Sequence, residues 1–232
     1  MIHSGSRNLG LKVAEHYNKI AKELNSKWHS SVPREWDLAF LPLDSEEGQA
    51  YLREMQYCVD FALANRKLMM ERIIQIFVNA FNGCGILTAP YNKKNLIINI
   101  AHNYASMENH FSENVMVHRK GATLAREDTI GIIPGSMGSH SYIIKGKGNP
   151  DSFMSCSHGA GRCMGRKQAI KELNLEEEIR KLDAQNIIHG IRNQKDLDEA
   201  TGSYKDIKTV MDNQSDLVEI LVTLTPIASI KG

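Results

Sequence analysis

Apolar residues at Leu11, Val13, Ala14, Tyr17, Ile20, Ala21 and Leu24 recur at helical spacing between Leu9 and about Trp28, with lysines and glutamates opposite them. This spacing predicts one amphipathic helix. Ser30-Ser31-Val32-Pro33 breaks it, and a short apolar connector from Asp37 to Leu43 is closed by Pro42. Asp44 or Ser45 is then a good N-cap, with Glu46 and Glu47 where the helix dipole favours acids. From Glu46 to Phe81 the face Tyr51, Leu52, Met55, Cys58, Val59, Ala62 and Leu63 continues through Leu68, Met69, Ile73, Ile74 and Phe77. Two helices or one bent helix cover it, with Asn65-Arg66-Lys67 read as a solvated face and the methionines as packing.

Beyond Gly83-Cys84-Gly85 the pattern turns to strands. Asn95–Ile100 is a β-branched run that ends on His102, a residue equally at home in a core or a cleft. Val115–Lys120 leaves into a basic turn at Gly121, and Ile130–Ile133 runs into Pro134-Gly-Ser-Met-Gly-Ser139 before a strand over Tyr142–Ile144. Arg166 opens a short helix, residues 174–186 are helical, and Asn186–Ile191 reads as a strand and turn. Ser203 starts a helix to about Asp212, and Leu217–Leu224 reads as a buried strand. The mixture is α+β, with helices packed on mixed or antiparallel sheets.

Composition adds exclusions. Apolar residues make up 42% and charged residues 24%, as in ordinary globular chains, and the net charge of +1 gives no global signal for nucleic acid. Any polyanion site must be local. Cys58, Cys84, Cys156 and Cys163 form no CxxC pair or framework spacing, so a reducing, cytoplasmic setting is expected. No run approaches the roughly 18 apolar residues of a membrane span.

The candidate chemistry lies in glycine- and serine-rich loops. Ser157-His158-Gly159-Ala160-Gly161-Arg162 sets an imidazole among small residues whose amides suit a phosphate, although a lone loop histidine satisfied by a carbonyl is the commoner case. Ser4-Gly5-Ser6-Arg7 precedes a helix start, a favourable anion site, and Pro134–Ser139 reads as a bed of free N–H and hydroxyl donors. If the loops carrying His3, His102 and His158 converge with Arg7, Arg119, Lys120, Arg162 and Arg166, the result is a histidine-lined, arginine-ringed pocket. Histidine suits Mn²⁺ or Zn²⁺, and arginine suits phosphate.

The ordered set His3-Ser-Gly-Ser-Arg7, His102-Asn103, Arg119-Lys-Gly-Ala-Thr123, Pro134-Gly-Ser-Met-Gly138, His158-Gly-Ala-Gly-Arg162, Tyr204-Lys-Asp206 and Lys231-Gly232 resembles the RtcB family of RNA-splicing ligases. The resemblance implies the family's α+β fold around a central cleft. It implies a GTP- and Mn²⁺-dependent ligase that joins RNA 2′,3′-cyclic phosphate or 3′-phosphate ends to 5′-hydroxyl ends. Carried over, His158 is the nucleophile that takes GMP. His3 and His102 are metal ligands. Asn103, Ser136, Ser141, Gly159, Ala160, Gly161, Tyr204 and Lys231 contact the guanylate, and Arg7, Lys120, Arg162 and Arg166 hold RNA-end phosphates. The implied partners are tRNA halves or broken RNA and an archease-like activator, with no membrane and a monomeric state.

Family members also carry an Asp-x-Gly-x-Gly-x-x-Cys motif and a Gly-Asn-His-Phe motif upstream of the His-Ser-Gly-Ser-Arg loop, and neither occurs in this sequence. Residues 1–232 therefore correspond to the C-terminal part of a single catalytic domain, without the N-terminal metal-binding part. Two alternatives stand beside the ligase: a non-catalytic remnant that binds RNA ends, and a metal-dependent phosphohydrolase. Asn8 stands where the family has glycine, a mild change because asparagine tolerates left-handed backbone.

Overall fold

The structure, a computed structural model, describes residues 1–84 and 97–231. It divides into two compact units, Met1–Ala105 and Ser106–Gly232. The architecture is α+β, with helices and several small, largely antiparallel sheets.

The first unit is built on two helices. The first, α1, runs Leu9–Lys27, and the second, α2, is a single 38-residue helix over Glu46–Gly83. Asn8 at the start of α1 has φ 76°, the left-handed geometry expected of an asparagine in a glycine's place, and Ser6 Oγ accepts from the Gly10 N–H at 2.8 Å. Ser45 caps α2 by accepting from the Gly48 N–H at 3.0 Å, which resolves the choice between Asp44 and Ser45. Tyr17, Ala21 and Cys58 are buried between these elements, and the Tyr17 hydroxyl donates to Glu54 at 2.8 Å across the helix pair. Asn25 ties α1 to the connector through both bonds to the Phe40 backbone.

Two expectations fail in this unit. Of the strand predicted over Asn95–Ile100, residues 95 and 96 lie outside the described residues, and residues 97–100 have no regular structure. The cause is on α2: Asn99 and the Ile100 carbonyl bond to Arg66 and Leu63 instead of to a neighbouring strand. For the same reason Asn65 and Arg66 are not a solvated face, since both side chains are half-buried in polar contacts.

The strand β1 (Asn103–His110), whose first three residues belong to the first unit, pairs with β2 (Glu113–Lys120) across Phe111 and Ser112, which have φ 51° and 67°. β3 (Ala122–Leu124) pairs antiparallel with β6 (Ser155–Ser157), placing Ala122 opposite Ser157. β4 (Ile130–Ile133), β5 (Ser141–Gly146) and β8 (Val218–Leu224) form a three-stranded antiparallel sheet. β7 (Ile188–His189) and β9 (Ala228–Ser229) are a short parallel pair. The helices of the second unit are α3 (Arg166–Glu172), α4 (Leu175–Asp183) and α5 (Ile207–Asp212).

One core, Ala125, Ile133, Tyr142, Ile144, Cys156, Ala160, Ile207, Met211 and Val218, places Cys156 and Ala160, on either side of His158, against the sheet. A second, Leu182, Ile187, Ile191, Leu197 and Ala200, fixes α4 and the 3₁₀ helix Gln194–Glu199. β8 is not the buried strand its composition predicts. Only Val218 is buried, and Ile220, Leu221, Val222 and Leu224 are exposed, although the strand pairs with β5 along its length.

Candidate active site

His158 follows β6, and β3 faces β6 so that the turn after Lys120 meets the imidazole. The Nδ1 atom lies 2.6 Å from the Gly121 carbonyl oxygen. A carbonyl can only accept, so Nδ1 carries a proton, and in the neutral tautomer this selects, the lone pair is at Nε2. Gly121 itself has φ 68°, and a Cβ there would stand 3.2 Å from His158 Cε1 and 3.3 Å from Nδ1. Glycine is required on both counts: left-handed backbone and close approach. Below the histidine, buried Gln214 accepts from the Ser157 N–H and donates to its Oγ, both at 3.0 Å, fixing the strand end. Gln214 lies 57 positions away in a polar stretch, so no local pattern marks it.

The loops around His158 are more self-satisfied than their composition suggests. Gly159 and Ala160 are buried, the Ala160 N–H donates to the Pro134 carbonyl at 3.3 Å, and Gly161 supplies positive φ at 72°. The Pro134–Ser139 loop is not a bed of free donors. The Gly135 N–H donates to Ser141 Oγ at 3.0 Å, the Ser136 N–H to Ser139 Oγ at 2.7 Å, and the two serine hydroxyls lie 2.8 Å apart. The Gly138 N–H donates to Thr201 Oγ1 at 3.0 Å. Short polar side chains close this loop on itself, so the Ser136 and Ser141 oxygens already hold its shape.

Four of the expected binding residues gather on two carboxylates that the sequence reading did not single out, Asp198 and Glu199. Arg162 donates to Glu199 at 3.2 Å, to the Tyr204 hydroxyl at 3.1 Å and to the Met164 carbonyl at 3.0 Å, and its guanidinium lies 4.9 Å from the Tyr204 ring centroid. Arg166 donates to Glu199 at 2.9 Å, the Tyr204 hydroxyl bonds Glu199, and Lys231 pairs with Asp198. Burial and the Glu199 carboxylate push the Tyr204 phenol up to about 12, so it remains a donor across ordinary pH. Core packing of Leu197 and Ala200 on either side of the pair sets the two carboxylates.

Arg119 does not join an arginine ring. It is buried, donating through Nη1 to Glu108 at 2.5 Å and through Nη2 to Glu108 at 3.0 Å and the Phe153 carbonyl at 2.9 Å, and through Nε to Ser155 at 3.0 Å. His110 lies 3.0 Å from the same carboxylate. The Arg119 guanidinium holds the Glu108 carboxyl well below the usual carboxylate range. This network braces β1, β2 and β6. Lys120, the next residue, is exposed.

In the first unit the Nε2 atoms of His3 and His102 are 3.1 Å apart, with the rings steeply inclined. His102 stands just before β1, with Asn103 exposed at its first position. Two imidazole nitrogens bound to one metal at ~2.1 Å and a right-angled to tetrahedral bite lie about 3.0–3.4 Å apart. The pair therefore fits two neighbouring positions of a metal's coordination sphere. Among the described residues no group of three or more His, Cys, Asp or Glu is placed to hold a metal ion. Arg7 is exposed with φ 51°, immediately before α1. No helix among the described residues is long and apolar enough to cross a membrane.

A family model described as tRNA-splicing ligase RtcB matches residues 1–232. The chain is 38% identical over 232 residues to RNA-splicing ligase RtcB of Escherichia coli strain K12, covering all of this chain and 55% of that protein. It is 32% identical over 253 residues to RNA-splicing ligase RtcB of Mycobacterium tuberculosis, covering 56% of it. With tRNA-splicing ligase RtcB of Methanococcus maripaludis the identity is 32% over 254 residues, covering 52% of that protein. The chain thus spans about half the length of the curated relatives it matches. With a match over its whole length, the chain belongs to the RtcB family.

Proposed function

We propose that this chain carries the nucleophile of an RNA ligase that joins 3′-phosphate or 2′,3′-cyclic phosphate ends to 5′-hydroxyl ends at the expense of GTP. The observation that carries the reading is the hydrogen bond from His158 Nδ1 to the Gly121 carbonyl, which assigns Nε2 as the nucleophilic nitrogen whenever the ring is neutral. Nε2 attacks the α-phosphorus of GTP, an N–P bond forms, the bond to the β-phosphate bridging oxygen breaks, and pyrophosphate leaves. The Nδ1 proton stays on the ring, where the Gly121 carbonyl stabilises the positive charge it acquires. A 2′,3′-cyclic end is first opened by water, its P–O2′ bond breaking to leave a 3′-phosphate and a 2′-hydroxyl; an oxygen of the 3′-phosphate then attacks the same phosphorus, the N–P bond breaks, and His158 returns to its neutral form. The 5′-hydroxyl attacks the activated 3′-phosphate, GMP leaves, and the hydroxyl proton passes to solvent.

Each of the other expected residues has a role in the proposal. Tyr204, Lys231 and Asn103 are the guanylate contacts, and Ser136 and Ser141 contribute by shaping their loop. Arg7, Lys120, Arg162 and Arg166 take the RNA-end phosphates, with Arg162 and Arg166 released from Glu199 as phosphate arrives. His3 and His102 would hold Mn²⁺, which would supply charge neutralisation and Lewis acidity toward phosphate oxygens. The RNA would be tRNA halves or broken strands, and an archease-like protein the activator.

The test is end joining. The chain, extended by the amino-terminal portion of the Escherichia coli relative, is given RNA with a 3′-phosphate and RNA with a 5′-hydroxyl, Mn²⁺ and GTP. Ligated product that requires GTP and disappears in His158→Ala supports the reading. Phosphate release without GTP would replace it with hydrolysis, and salt-sensitive RNA binding without product would replace it with a binding role.

A further inference from the structure

Arg66 lies in the middle of α2, in a polar triplet that the helical pattern assigns to solvent. It is instead half-buried, and its guanidinium spends donors on three backbone and side-chain oxygens from two distant segments. Nη1 donates to the Ser4 carbonyl at 2.9 Å, Nη2 to the Ile100 carbonyl at 2.9 Å, and Nε to Asn99 Oδ1 at 2.8 Å. Asn65 adds bonds to Ser4 Oγ and the Gly5 carbonyl, both at 3.1 Å, and Asn99 returns one to the Leu63 carbonyl at 3.0 Å. Ser4 follows His3 directly, and Ile100 precedes His102 by two residues.

We infer that Arg66, assisted by Asn65, is a positioning residue that sets the 3.1 Å spacing of the His3 and His102 Nε2 atoms by clamping the two segments that carry them to α2. The inference rests on the reading of that pair as metal ligands. Three physical points support it. The two segments are 99 positions apart at the histidines, and neither forms strand or helix on the approach, so local structure does not hold them. The planar fork reaches both carbonyls at once, which a lysine ammonium on a single-point stem does not reproduce. Finally, among the described residues Arg66 forms no ion pair, and burial lowers its pKa from the ordinary arginine value. Its charge is therefore retained in the face of a desolvation cost and of repulsion toward any nearby cation, and only the hydrogen bonds to neutral oxygens offset both.

That repulsion makes the choice of variant decisive. Arg66→Met would remove a clamp and also a positive charge, two changes with opposite effects on a cation. Arg66→Lys keeps the charge and removes the fork. Supporting hydrogen bonds behind metal ligands alter affinity by about 10–100-fold. In metal-free protein, Arg66→Lys is expected to speed amide hydrogen exchange at Ser4–Ser6 and Asn99–His102 while leaving α1 and the rest of α2 as in wild type. Mn²⁺ affinity, read from free-ion electron paramagnetic resonance, is expected to fall at least tenfold. Wild-type exchange and wild-type affinity in Arg66→Lys would overturn the inference. If wild-type protein and His3→Ala retain Mn²⁺ equally, the metal reading of the pair fails, while the exchange measurement still decides whether Arg66 holds the two segments. Should Arg66→Lys not fold, Asn99→Ala, which removes the Nε partner and the Leu63 bond and leaves the helix sequence intact, decides by the same two readouts.

Discussion

Replacing Gly121 by alanine tests how closely the backbone of the β2–β3 turn governs the imidazole. Gly121 sits at φ 68°, where an L side chain costs ~1–2 kcal/mol, partly offset by ~0.4–1 kcal/mol from the restricted unfolded chain. The new Cβ would press on His158 Cε1 and Nδ1 at 3.2 and 3.3 Å, so the ring or the turn must give by a few tenths of an ångström. Such a shift lengthens the 2.6 Å bond to the Gly121 carbonyl and turns Nε2 away from its line of attack. Global stability should therefore fall by only about 1 kcal/mol, measured by urea denaturation. Misplacement by 1 Å costs on the order of 10² in rate, so a fraction of that distance should slow guanylylation at least tenfold in single turnover. Gly148→Ala is the matched control: φ is 67° there, but the added Cβ meets Glu127 and no histidine. A Gly121→Ala protein that takes up GMP as fast as Gly148→Ala would refute the argument.

Glu108→Gln should destabilise the chain by ~3–5 kcal/mol in urea, because Arg119 would be left buried without its counter-charge. The Glu108 carboxyl is held below its ordinary value in the fold, so its contribution is complete above about pH 4.3 and is lost as pH falls below it. The wild-type acid limb should accordingly be steeper than that of Glu108→Gln. A tyrosinate titration at 295 nm should lose, in Tyr204→Phe, a component with a midpoint near 12, and a missing component nearer 10 would remove the role given to Glu199. With the phenol pKa raised in the fold, this bond stabilises fully below about pH 10 and is lost as pH rises toward 12. Glu199→Gln should tighten pyrophosphate binding by up to about fivefold, since Arg162 would lose its partly exposed ion pair and Arg166 would keep only the longer one to Asp198. Weaker binding would mean that Glu199 orients the arginines toward the anion rather than competing with it.

The helices were legible because apolar residues in α1 and α2 recur at a 3.6-residue period, with Tyr17, Ala21 and Cys58 buried on it, although Leu11 of α1 and Leu68, Met69 and Phe77 of the expected α2 face are exposed. The limit of this periodicity is visible at Arg66, where a polar residue on a helix reads as solvated although it bonds carbonyls 34 and 62 positions away. β1 shows the reverse problem. Its buried positions include Glu108 and His110, which bond one another and, through Glu108, Arg119 on β2, so the strand looks too polar to be one. Composition also misjudged β8, whose apolar residues are exposed along an edge. The motif order singles out His158, His3 and His102 as candidates, because glycines and histidines in fixed sequence leave a recognisable trace. Glu199, Asp198 and Gln214 were missed, since single polar residues acting across long separations leave none.

The central claim is that Nε2 of His158 forms the bond to GMP. The direct measurement is incubation with [α-³²P]GTP and Mn²⁺ of the chain, alone and extended by the amino-terminal portion of the Escherichia coli relative, with peptide mapping of the label. The account predicts an acid-labile, base-stable adduct on the peptide containing His158, absent in His158→Ala and with its phosphorus on Nε2 by nuclear magnetic resonance. Label on another residue, or no label in either form while a full-length relative is labelled in parallel, would contradict it.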